Sequence, residues 1–396
     1  MTEIRKNIHW VGAIDWDLRN FHGYSTPFGS TYNAYLILDE QPTLVDTVKH
    51  YCYDEMVSRI KQIIDPAKIR YIISNHTEMD HSGSIGKLLA ICPAAEVVCS
   101  LKGHEGLTKH FQNAGAGNWK FKVVGSGDTL MIGSRALEFF LMPMVHWPDS
   151  MATYSRSDKV LLPNDAFGQH YASSQRFVDE VGLEFALTEA QKYYANIVLP
   201  YGGQVVRALE ALGKLPVEVI APSHGLIWRR EQDISQILTR YRSWAHYEAG
   251  SQAVIVYDTM WHSTEVLARD LYDALGNEGI PARLCNLQVT HISDIMAQVL
   301  ASGALLVGSP ILNGRILPSM AAFLTYLRGL KPKNRVGFTF GSYGWAPAGF
   351  REMEDALKDS GITLVKEGVY VNYVPDQAAR AQMADVAREL KAALTR

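Results

Sequence analysis

The most chemically suggestive stretch of the sequence is residues 75–83, which read NHTEMDHSG. Its pattern is H-x-E-x-D-H, and its four potential metal ligands fall within six positions: His76, Glu78, Asp80 and His81. So dense a set of imidazoles and carboxylates between a predicted strand and a predicted helix suits a loop that wraps metal ions. Short motifs also match by chance, and Asp80 could simply cap a helix that begins near Ser82.

Three further candidate ligands each follow a strand-like run: His146 in MVHWPDS, Asp165 in LPNDA and His224 in APSHG. Together the seven side chains offer four imidazoles and three carboxylates, a charge of -3 against the +4 of two divalent ions. Asp165 could bridge two ions at roughly 3.5–4 Å. Glu78 stands where zinc hydrolases with an H-x-H-x-D-H motif have histidine, and this carboxylate favours iron or manganese and a redox role.

Other residues near these motifs are weaker candidates. His22 and His170 could lie beside the metals as hydrogen-bond donors. His22, Tyr193 and Tyr194 are candidates to give a proton or a hydrogen bond to a bound substrate, although each is at least as often structural.

A second set of motifs begins after residue 256, where the sequence reads YDTMWHSTE. Hydroxyl side chains between a predicted strand and a predicted helix form a phosphate cradle at the helix N-terminus. No G-x-x-x-x-G-K-[ST] or G-x-G-x-x-G pattern is present there, which favours a monophosphate. Two later loops, GSPILNG at 308–314 and GSYGWA at 341–346, would share the carboxyl edge of the same sheet.

Flat rings at Tyr343 and Trp345, together with the phosphate cradle, predict bound FMN. The predicted flavin contacts are Thr259, Met260, Trp261, His262, Ser263, Thr264, Pro310, Ile311, Leu312, Asn313, Gly314, Ser342, Tyr343, Gly344 and Trp345.

The elements that must position these residues divide into two sets. At 396 residues the chain exceeds the size at which one core keeps growing, and we expect domains at 1–249 and 250–396. The first mixes paired strands with strands that precede helices, and a helical stretch at 187–212 is interrupted at 200–203. The second predicts a doubly wound parallel sheet, because five strands alternate with five helices. Its predicted strands are 253–257, 283–287, 304–307, 336–340 and 363–371.

Composition narrows the class of protein. A net charge of -3 predicts no nucleic-acid partner and no attraction to anionic membranes. No apolar run approaches the length of a membrane span and no signal peptide is recognisable, so we expect a soluble cytoplasmic protein. The four cysteines are scattered and none forms C-x-x-C, which indicates that this sequence carries no iron–sulfur or rubredoxin module.

Both sets of motifs, in this order, resemble the flavodiiron proteins, also called A-type flavoproteins, which include rubredoxin:oxygen oxidoreductases. The resemblance is carried by WVGA at 10–13, YNAY at 32–35, HWPDS at 146–150, NDAFGQ at 164–169, YYAN at 193–196 and APSHG at 221–225. It departs from the family at 311–315, ILNGR, and at 346–348, APA.

The resemblance implies a metallo-β-lactamase-like αββα sandwich followed by a flavodoxin-like FMN domain. It implies one iron held by His76, Glu78 and His146, and a second held by Asp80, His81 and His224, with Asp165 bridging. It also implies a head-to-tail homodimer, or a dimer of dimers, in which the FMN of one chain lies beside the di-iron site of the other. The implied activity is reduction of O2 to water, of NO to N2O, or of both, with electrons from rubredoxin or a similar donor.

Two other readings stay open at this point. One is a di-zinc hydrolase with a flavodoxin-like regulatory domain, against which Glu78 argues. The other is an electron-transfer or sensing flavoprotein whose metal site is idle. The choice between O2 and NO is also open, because either activity would use the same seven ligands.

Overall fold

The computed structural model of the chain describes residues 2–395, which divide into two compact units. The first contains the described residues up to His22, together with Thr26–Tyr193 and Tyr201–Ala245. The second contains Gly23–Ser25, Tyr194–Pro200 and the described residues from His246 onward. The predicted domain boundary between residues 249 and 250 stays a prediction.

Two β-sheets form the centre of the first unit. The larger sheet has the strand order Thr2–Arg5, Ile8–Trp10, Tyr35–Ile37, Thr43–Val45, Tyr71–Ile73, Glu96–Cys99, Phe121–Val123, and its last four strands are parallel. The smaller sheet has the order Thr129–Met131, Ala136–Leu141, Met151–Ser155, Val160–Leu162, Val219–Ile220. A separate antiparallel pair joins Ala13–Asp15 to Ser30–Tyr32, and Asn20–Phe21 is a further short strand.

The two sheets pack face to face because their strands alternate apolar side chains between two surfaces. In Tyr35–Ile37 the outer two residues join the core between the sheets, whereas Leu36 packs on the opposite face among helix residues. Tyr71–Ile73 repeats the pattern, with Ile72 toward the helices. This period of two is the expected consequence of strand geometry, and it confirms the predicted αββα layers.

Helices cover the sandwich. The α-helices of the first unit are Tyr53–Lys61, Met79–Ser82, Ile85–Ile91, Leu101–His110, Val178–Val181, Leu183–Tyr193, Gly202–Leu212 and Glu231–Ala245. The 3-10 turns wholly within it are His50–Cys52, Pro66–Lys68, Gln112–Ala114 and Ala116–Asn118. The predicted interruption at 200–203 was wrong in position, because the α-helix already ends at Tyr193. A π-helical turn, Tyr194–Val198, and a 3-10 turn, Leu199–Tyr201, follow before Gly202–Leu212 begins.

The second unit is a doubly wound parallel sheet, as predicted. Its strand order is Ala282–Asn286, Gly250–Tyr257, Ser302–Leu312, Arg335–Tyr343, and the last of these pairs with both Ile362–Leu364 and Val369–Asn372. Its α-helices are Ser263–Asn277, Ile292–Ala301, Pro318–Leu330, Arg351–Asp359 and Gln377–Leu394. The short strand Tyr24–Ser25 also belongs to this unit. The first and last of its helices pack on one face of the sheet in a shared apolar core.

Two strand predictions in this unit were wrong in extent. The predicted strand at 363–371 is broken at residues 365–368, where Lys366, Glu367 and Gly368 interrupt the apolar pattern. The predicted loop at 308–314 is mostly strand, because Ser302–Leu312 continues beside its neighbour as far as Pro310. Asn313 and Gly314, with φ of 52° and 73°, then turn the chain back onto the short strand Arg315–Ile316. Among residues 2–395, no helix is long and apolar enough to span a bilayer.

Candidate functional site

The seven predicted metal ligands converge at the strand ends of the sandwich. His76 and Glu78 lie in the loop that follows the strand Tyr71–Ile73, and the short helix Met79–Ser82 adds Asp80 and His81. The remaining three follow strands of the smaller sheet: His146, Asp165 and His224. Their donor atoms form two groups, one from His76, Glu78, His146 and Asp165, and one from Asp80, His81 and His224, each within 4.8 Å. These residues are called the seven-residue cluster below.

Asp165 lies between the two groups and offers one carboxylate oxygen to each. Its Oδ2 is 3.3 Å from His146 Nε2 and 3.7 Å from His76 Nε2. Its Oδ1 is 3.0 Å from His81 Nε2 and 3.4 Å from His224 Nε2. A carboxylate in this position can bridge two metal ions, each with its own set of imidazole and carboxylate donors.

The hydrogen bonding of the cluster fits bound metal ions. Four residues account for the fit: in the described part of the chain, the buried atoms without a hydrogen-bond partner include His76 Nε2, both nitrogens of His81, and both carboxylate oxygens of Asp80 and Asp165. Leaving a buried polar group unpaired costs about 1–3 kcal/mol, and more when the group is charged. Metal coordination would satisfy those of these atoms that face the cluster, with one nitrogen of each imidazole as a ligand, and the mixed imidazole and carboxylate donor set suits iron.

The carboxylates of the cluster favour protonated imidazoles, so protons would compete with metal ions for the same nitrogens. Burial lowers the pKa of His76, but its hydrogen bond to Asp149 and the nearby carboxylates outweigh burial and raise that pKa to about 10. The pKa of His81 rises to about 9 and that of His146 to about 10 against the same opposing effect of burial, because Asp80, Asp165 and Glu78 surround them. Burial raises the pKa of Asp165, yet the histidines hold it well below its usual value. Metal ions would displace these imidazole protons.

Hydrogen bonds orient two of the imidazoles. Asp149 Oδ2 lies 2.9 Å from His76 Nδ1 and also accepts the backbone N–H of Thr77 at 2.7 Å. The Thr31 carbonyl oxygen lies 2.6 Å from His224 Nδ1. Both partners take the Nδ1 proton, and Nε2 of each ring is left to face the cluster.

Asp46 supports the cluster from beneath, and it was missed by sequence reasoning. Its carboxylate accepts hydrogen bonds from the backbone and side chain of Asn75, at 2.8 and 3.1 Å, from Asn164 Nδ2 at 3.2 Å and from Ser223 Oγ at 3.3 Å. These three donors are the residues immediately before His76, Asp165 and His224. One buried carboxylate therefore holds together the three loops that supply these ligands.

The next residue, Thr47, holds a fourth ligand, His81, in place. Its backbone N–H donates to the carbonyl of His81 at 2.8 Å, and its hydroxyl donates to the same oxygen. Asp149 and Asp46 could have been suspected from the sequence, since Asp149 lies in the HWPDS motif and Asp46 interrupts an apolar strand-like run. Glycine follows His224 for a steric reason: Gly225 has φ of 74°, and a Cβ there would lie 2.4 Å from Gln169.

The weaker candidates have different outcomes. His22 is largely exposed, with Nε2 3.2 Å from Glu78 Oε1. Tyr193 is buried, with its ring centroid 6.0 Å from that of His224 and 5.1 Å from that of His170. Tyr194 is buried at the start of the π-helical turn of the second unit, and its predicted role stays a prediction.

In the second unit, the predicted flavin contacts gather at the carboxyl ends of three strands. Thr259, Met260, Trp261 and His262 lie between the strand Gly250–Tyr257 and the helix Ser263–Asn277. Thr264 Oγ1 is 2.9 Å from Ser342 Oγ, which joins this loop to the end of the strand Arg335–Tyr343. The other predicted contacts lie at the end of Ser302–Leu312 and in its turn, or at the end of Arg335–Tyr343 and just beyond: Pro310, Ile311, Leu312, Asn313, Gly314, Tyr343, Gly344 and Trp345.

These predicted flavin loops also fit the group they would hold. Thr259 Oγ1 is buried without a hydrogen-bond partner among the described residues. It precedes the N-terminus of the helix Ser263–Asn277, where a phosphate would accept a hydrogen bond from its hydroxyl. Trp261 and Trp345 are 87% and 91% exposed, and such rings offer a tricyclic ligand flat apolar surface.

Comparison with known proteins agrees with this architecture. The family described as ODP family beta lactamase matches residues 31–225, and the family described as Flavodoxin matches residues 255–384. A nitric oxide reductase of Moorella thermoacetica is 43% identical, over 94% of this chain and 93% of its own. The solved rubredoxin oxygen:oxidoreductase from Desulfovibrio gigas superposes with a TM-score of 0.96 at 39% identity, covering 100% of this chain and 98% of its own.

A flavodiiron protein from Giardia intestinalis superposes with a TM-score of 0.95 at 32% identity, covering 99% of this chain and 97% of its own. The chain belongs to the flavodiiron protein family. The predicted family and fold class are confirmed, because a flavodiiron relative matches both units over nearly their whole length. The roles of individual residues within this flavodiiron fold stay predictions.

Proposed function

We propose that the chain is an oxidoreductase that reduces O2 to water, NO to N2O, or both, at a non-haem di-iron site. Electrons reach the site through FMN from an external donor such as rubredoxin. The observation that carries the proposal is the position of Asp165, whose two carboxylate oxygens face two separate groups of ligands. Relatives named nitric oxide reductase and rubredoxin oxygen:oxidoreductase support the reaction class.

In this proposal His76, Glu78 and His146 would hold one iron, Asp80, His81 and His224 would hold the other, and Asp165 would offer one oxygen to each. When bound, two ferrous ions supply two electrons and reduced FMN two more, which matches the four that O2 needs, whereas two suffice for two NO. Three carboxylates against two divalent ions leave the cluster near neutrality.

The chain's own residues hold the ligands, set their tautomers and keep water out. Asp149 and Thr31 accept the Nδ1 protons of His76 and His224, so that Nε2 is available to metal. Five of the seven ligands have side chains at most 2% exposed, whereas Glu78 and His146 are 14% and 15% exposed. Gas would therefore enter beside these two residues, where the imidazole of His22 can place a proton close to Glu78.

The second unit would hold FMN through the predicted flavin loops. Thr259 and the N-terminus of the helix Ser263–Asn277 would take the phosphate, and the exposed rings of Trp261 and Trp345 would be available to cover the flavin. We also propose a head-to-tail homodimer, or a dimer of dimers, which light scattering of the eluted protein would test. A cytoplasmic location is supported by four buried cysteines that form no disulfide in residues 2–395.

Gas turnover tests the proposal directly. The full chain, loaded with iron and FMN and supplied with electrons through rubredoxin, should consume O2, NO or both and contain two irons and one FMN. Glu78→His, which restores the zinc-hydrolase spacing, should abolish consumption and shift the bound metal toward zinc. Glu105→Gln, at an exposed pair with Lys102, is the matched control and should behave as the wild type.

Two results would overturn the proposal in favour of the alternatives. Full zinc occupancy from iron-replete cells, with neither gas consumed, would favour the di-zinc hydrolase. A reduced protein whose flavin reoxidises no faster under O2 or NO than that of a free flavodoxin would support an electron-transfer or sensing role.

A further inference from the structure

Tyr32 contacts a proposed iron ligand in two ways. Its buried ring lies edge-on to the ring of His224, with the centroids 5.9 Å apart and the planes at 75°. The carbonyl of the preceding residue, Thr31, lies 2.6 Å from His224 Nδ1 and takes its proton. One hydrogen bond and a short run of covalent bonds therefore connect the His224 imidazole to Tyr32, alongside the direct contact of the rings.

The phenol group of Tyr32 points away from His224, toward a carboxylate and a second tyrosine. Its hydroxyl donates to Asp15 Oδ2 at 2.8 Å. The hydroxyl of Tyr51 donates to the same oxygen at 2.5 Å, and the two phenol oxygens are 3.3 Å apart. Tyr51 is 56% exposed, so two tyrosines and one carboxylate reach from a buried ligand to solvent.

Lys49 favours a neutral tyrosyl radical over a radical cation at Tyr32. Its ammonium lies 4.9 Å from the ring centroid of Tyr32 and 5.9 Å from that of Tyr51. A fixed cation stabilises a neutral ring and disfavours a positive charge on it. Loss of an electron must therefore be accompanied by loss of the phenol proton, and Asp15 is in place to accept that proton.

The direction of the contacts excludes a proton wire into the cluster. The ring of Tyr32, which cannot carry a proton, faces His224, while its hydroxyl faces Asp15. An electron can leave Tyr32 toward the metal side through the ring and the Thr31 peptide, and a proton can leave in the opposite direction. This separation suits a redox-active tyrosine.

We propose that Tyr32 and Tyr51 form an electron-donating branch, which removes oxidising equivalents from the metal pair when the flavin supplies too few electrons. The branch rests on the proposed function, and it protects the ligands from oxidation. Each oxidising equivalent takes one electron from Tyr32, whose proton passes to Asp15. Asp15 releases that proton to solvent, and Tyr32 recovers an electron and a proton from Tyr51. A small-molecule thiol in solution then returns one hydrogen atom to Tyr51, and pairs of thiyl radicals close to disulfide.

With the tyrosine branch, the electrons and protons balance for O2 reduction even when the flavin gives no electrons. O2 needs four electrons and four protons to give two waters. Two ferrous ions give two of the electrons, and two tyrosine oxidations give the other two. The two tyrosine protons pass through Asp15 to solvent, and solvent delivers four protons to the cluster, which is a net uptake of two. Hydrogen peroxide makes the same demand of two electrons on the tyrosines without any ferrous iron. H2O2 and two tyrosines give two waters and two neutral tyrosyl radicals.

Peroxide therefore tests the branch without depending on gas turnover. Oxidised full-length protein that holds two irons and FMN, with no electron donor, is mixed with stoichiometric H2O2 and freeze-quenched for EPR. A parallel sample is treated with a radical trap and mapped by peptide mass spectrometry. We expect a neutral tyrosyl signal and a trapped adduct on Tyr51.

Three variants assign the signal. Tyr32→Phe keeps the ring and should lower the radical yield and the Tyr51 adduct at least fivefold. Tyr51→Phe should abolish the adduct at that position and leave a longer-lived radical on Tyr32. Tyr154→Phe is the matched control: Tyr154 is a buried tyrosine of the same unit whose hydroxyl donates to the Pro216 carbonyl, and its removal should change neither readout.

The outcomes separate this inference from the proposed function. A wild-type protein with two irons that forms no tyrosyl radical, or a Tyr32→Phe variant with unchanged radical yield and full iron content, overturns the branch. Gas consumption is measured on separate aliquots of the same preparations. A protein that reduces O2 or NO yet fails the peroxide test loses the branch and keeps its proposed function, whereas one that forms the radical but reduces neither gas keeps the branch and loses that function.

Discussion

The seven-residue cluster and the predicted flavin loops differ in how far their side chains are buried. Most ligands of the cluster are buried and held by hydrogen bonds to the surrounding loops. In the flavin loops, two tryptophan rings are exposed to solvent. Asp46, Asp149 and Thr31 hold the loops and rings of the cluster. Trp261 and Trp345 are 87% and 91% exposed.

The difference follows from what each region would bind. Bare metal ions need donors in a fixed geometry, so the protein arranges several charged groups in advance and orients them through their neighbours. A large flat ligand brings its own apolar surface, so rings at a loop edge need only be available to cover it. Changes beneath the cluster should therefore disturb metal binding strongly, and changes at the exposed rings should affect ligand affinity with little effect on folding.

The largest effect is expected at Asp46. Asp46→Ala leaves the buried donors of Asn75, Asn164 and Ser223 without their acceptor, and we expect the free energy of unfolding to fall by about 3 kcal/mol. Because those donors precede three ligands, iron affinity should also fall about 10–100-fold. Chemical denaturation and chelator competition measure the two quantities.

Asp39→Ala is the matched control for this change. Asp39 likewise accepts hydrogen bonds from several backbone and side-chain groups, at Glu40, Ser134 and Arg135, but none of its donors adjoins a ligand. The Asp39→Ala variant should lose stability without losing iron affinity. Equal losses of iron affinity in the two variants would remove the special role given to Asp46.

A pH-dependent effect of intermediate size is expected from the cluster histidines. In the metal-free protein, His76 and His146 have a pKa of about 10 and His81 of about 9, against an ordinary value of 6.5. Their protonated forms therefore stabilise the fold fully below about pH 6.5, and this stabilisation is lost as the pH rises through about 9–10.

Thermal unfolding across pH 6.5–10 checks this prediction. The melting temperature of the metal-free protein should fall over this range relative to that of the iron-loaded protein, whose ligands carry no such protons. Apparent iron affinity should rise over the same range, because fewer protons must be displaced. Parallel curves for the two forms would show that the histidines are already neutral without metal.

The smallest effect is expected at the exposed rings. Trp345→Ala should weaken FMN binding about 2–10-fold, as expected for the loss of one aromatic contact of about 0.5–1.5 kcal/mol. The flavin-free protein should change in stability by less than about 0.5 kcal/mol, as surface substitutions do. FMN fluorescence quenching measures the affinity. Trp16→Ala, at an exposed tryptophan of the first unit, should leave it unchanged; a stability loss at Trp345 as large as that at Asp46 would contradict the contrast.

Sequence reasoning found the cluster because its chemistry depends on residue type at strand ends. His76, Asp165 and His224 could be selected by their donors and by the apolar runs before them, and the structure brings them together. Asp46 escaped because its partners are the neighbours of ligands rather than ligands, and nothing local shows that three distant loops meet at one carboxylate.

The errors in the fold have a similar origin. The strand Ser302–Leu312 extends past its apolar run because a neighbouring strand continues beside it, which is a pairing that local pattern does not encode. The α-helix before Tyr194 ends in a π-helical turn without any proline or glycine at that point. Helix and strand types were predictable from periodicity, whereas their ends depended on tertiary contacts.

In the proposed function, Asp165 joins two iron ions within one site. X-ray absorption at the iron edge of the fully loaded protein measures it most directly. We expect an iron–iron vector at roughly 3.5–4 Å that disappears in Asp165→Ala. Iron bound at full stoichiometry without such a vector, or a vector unchanged in the variant, would contradict the claim.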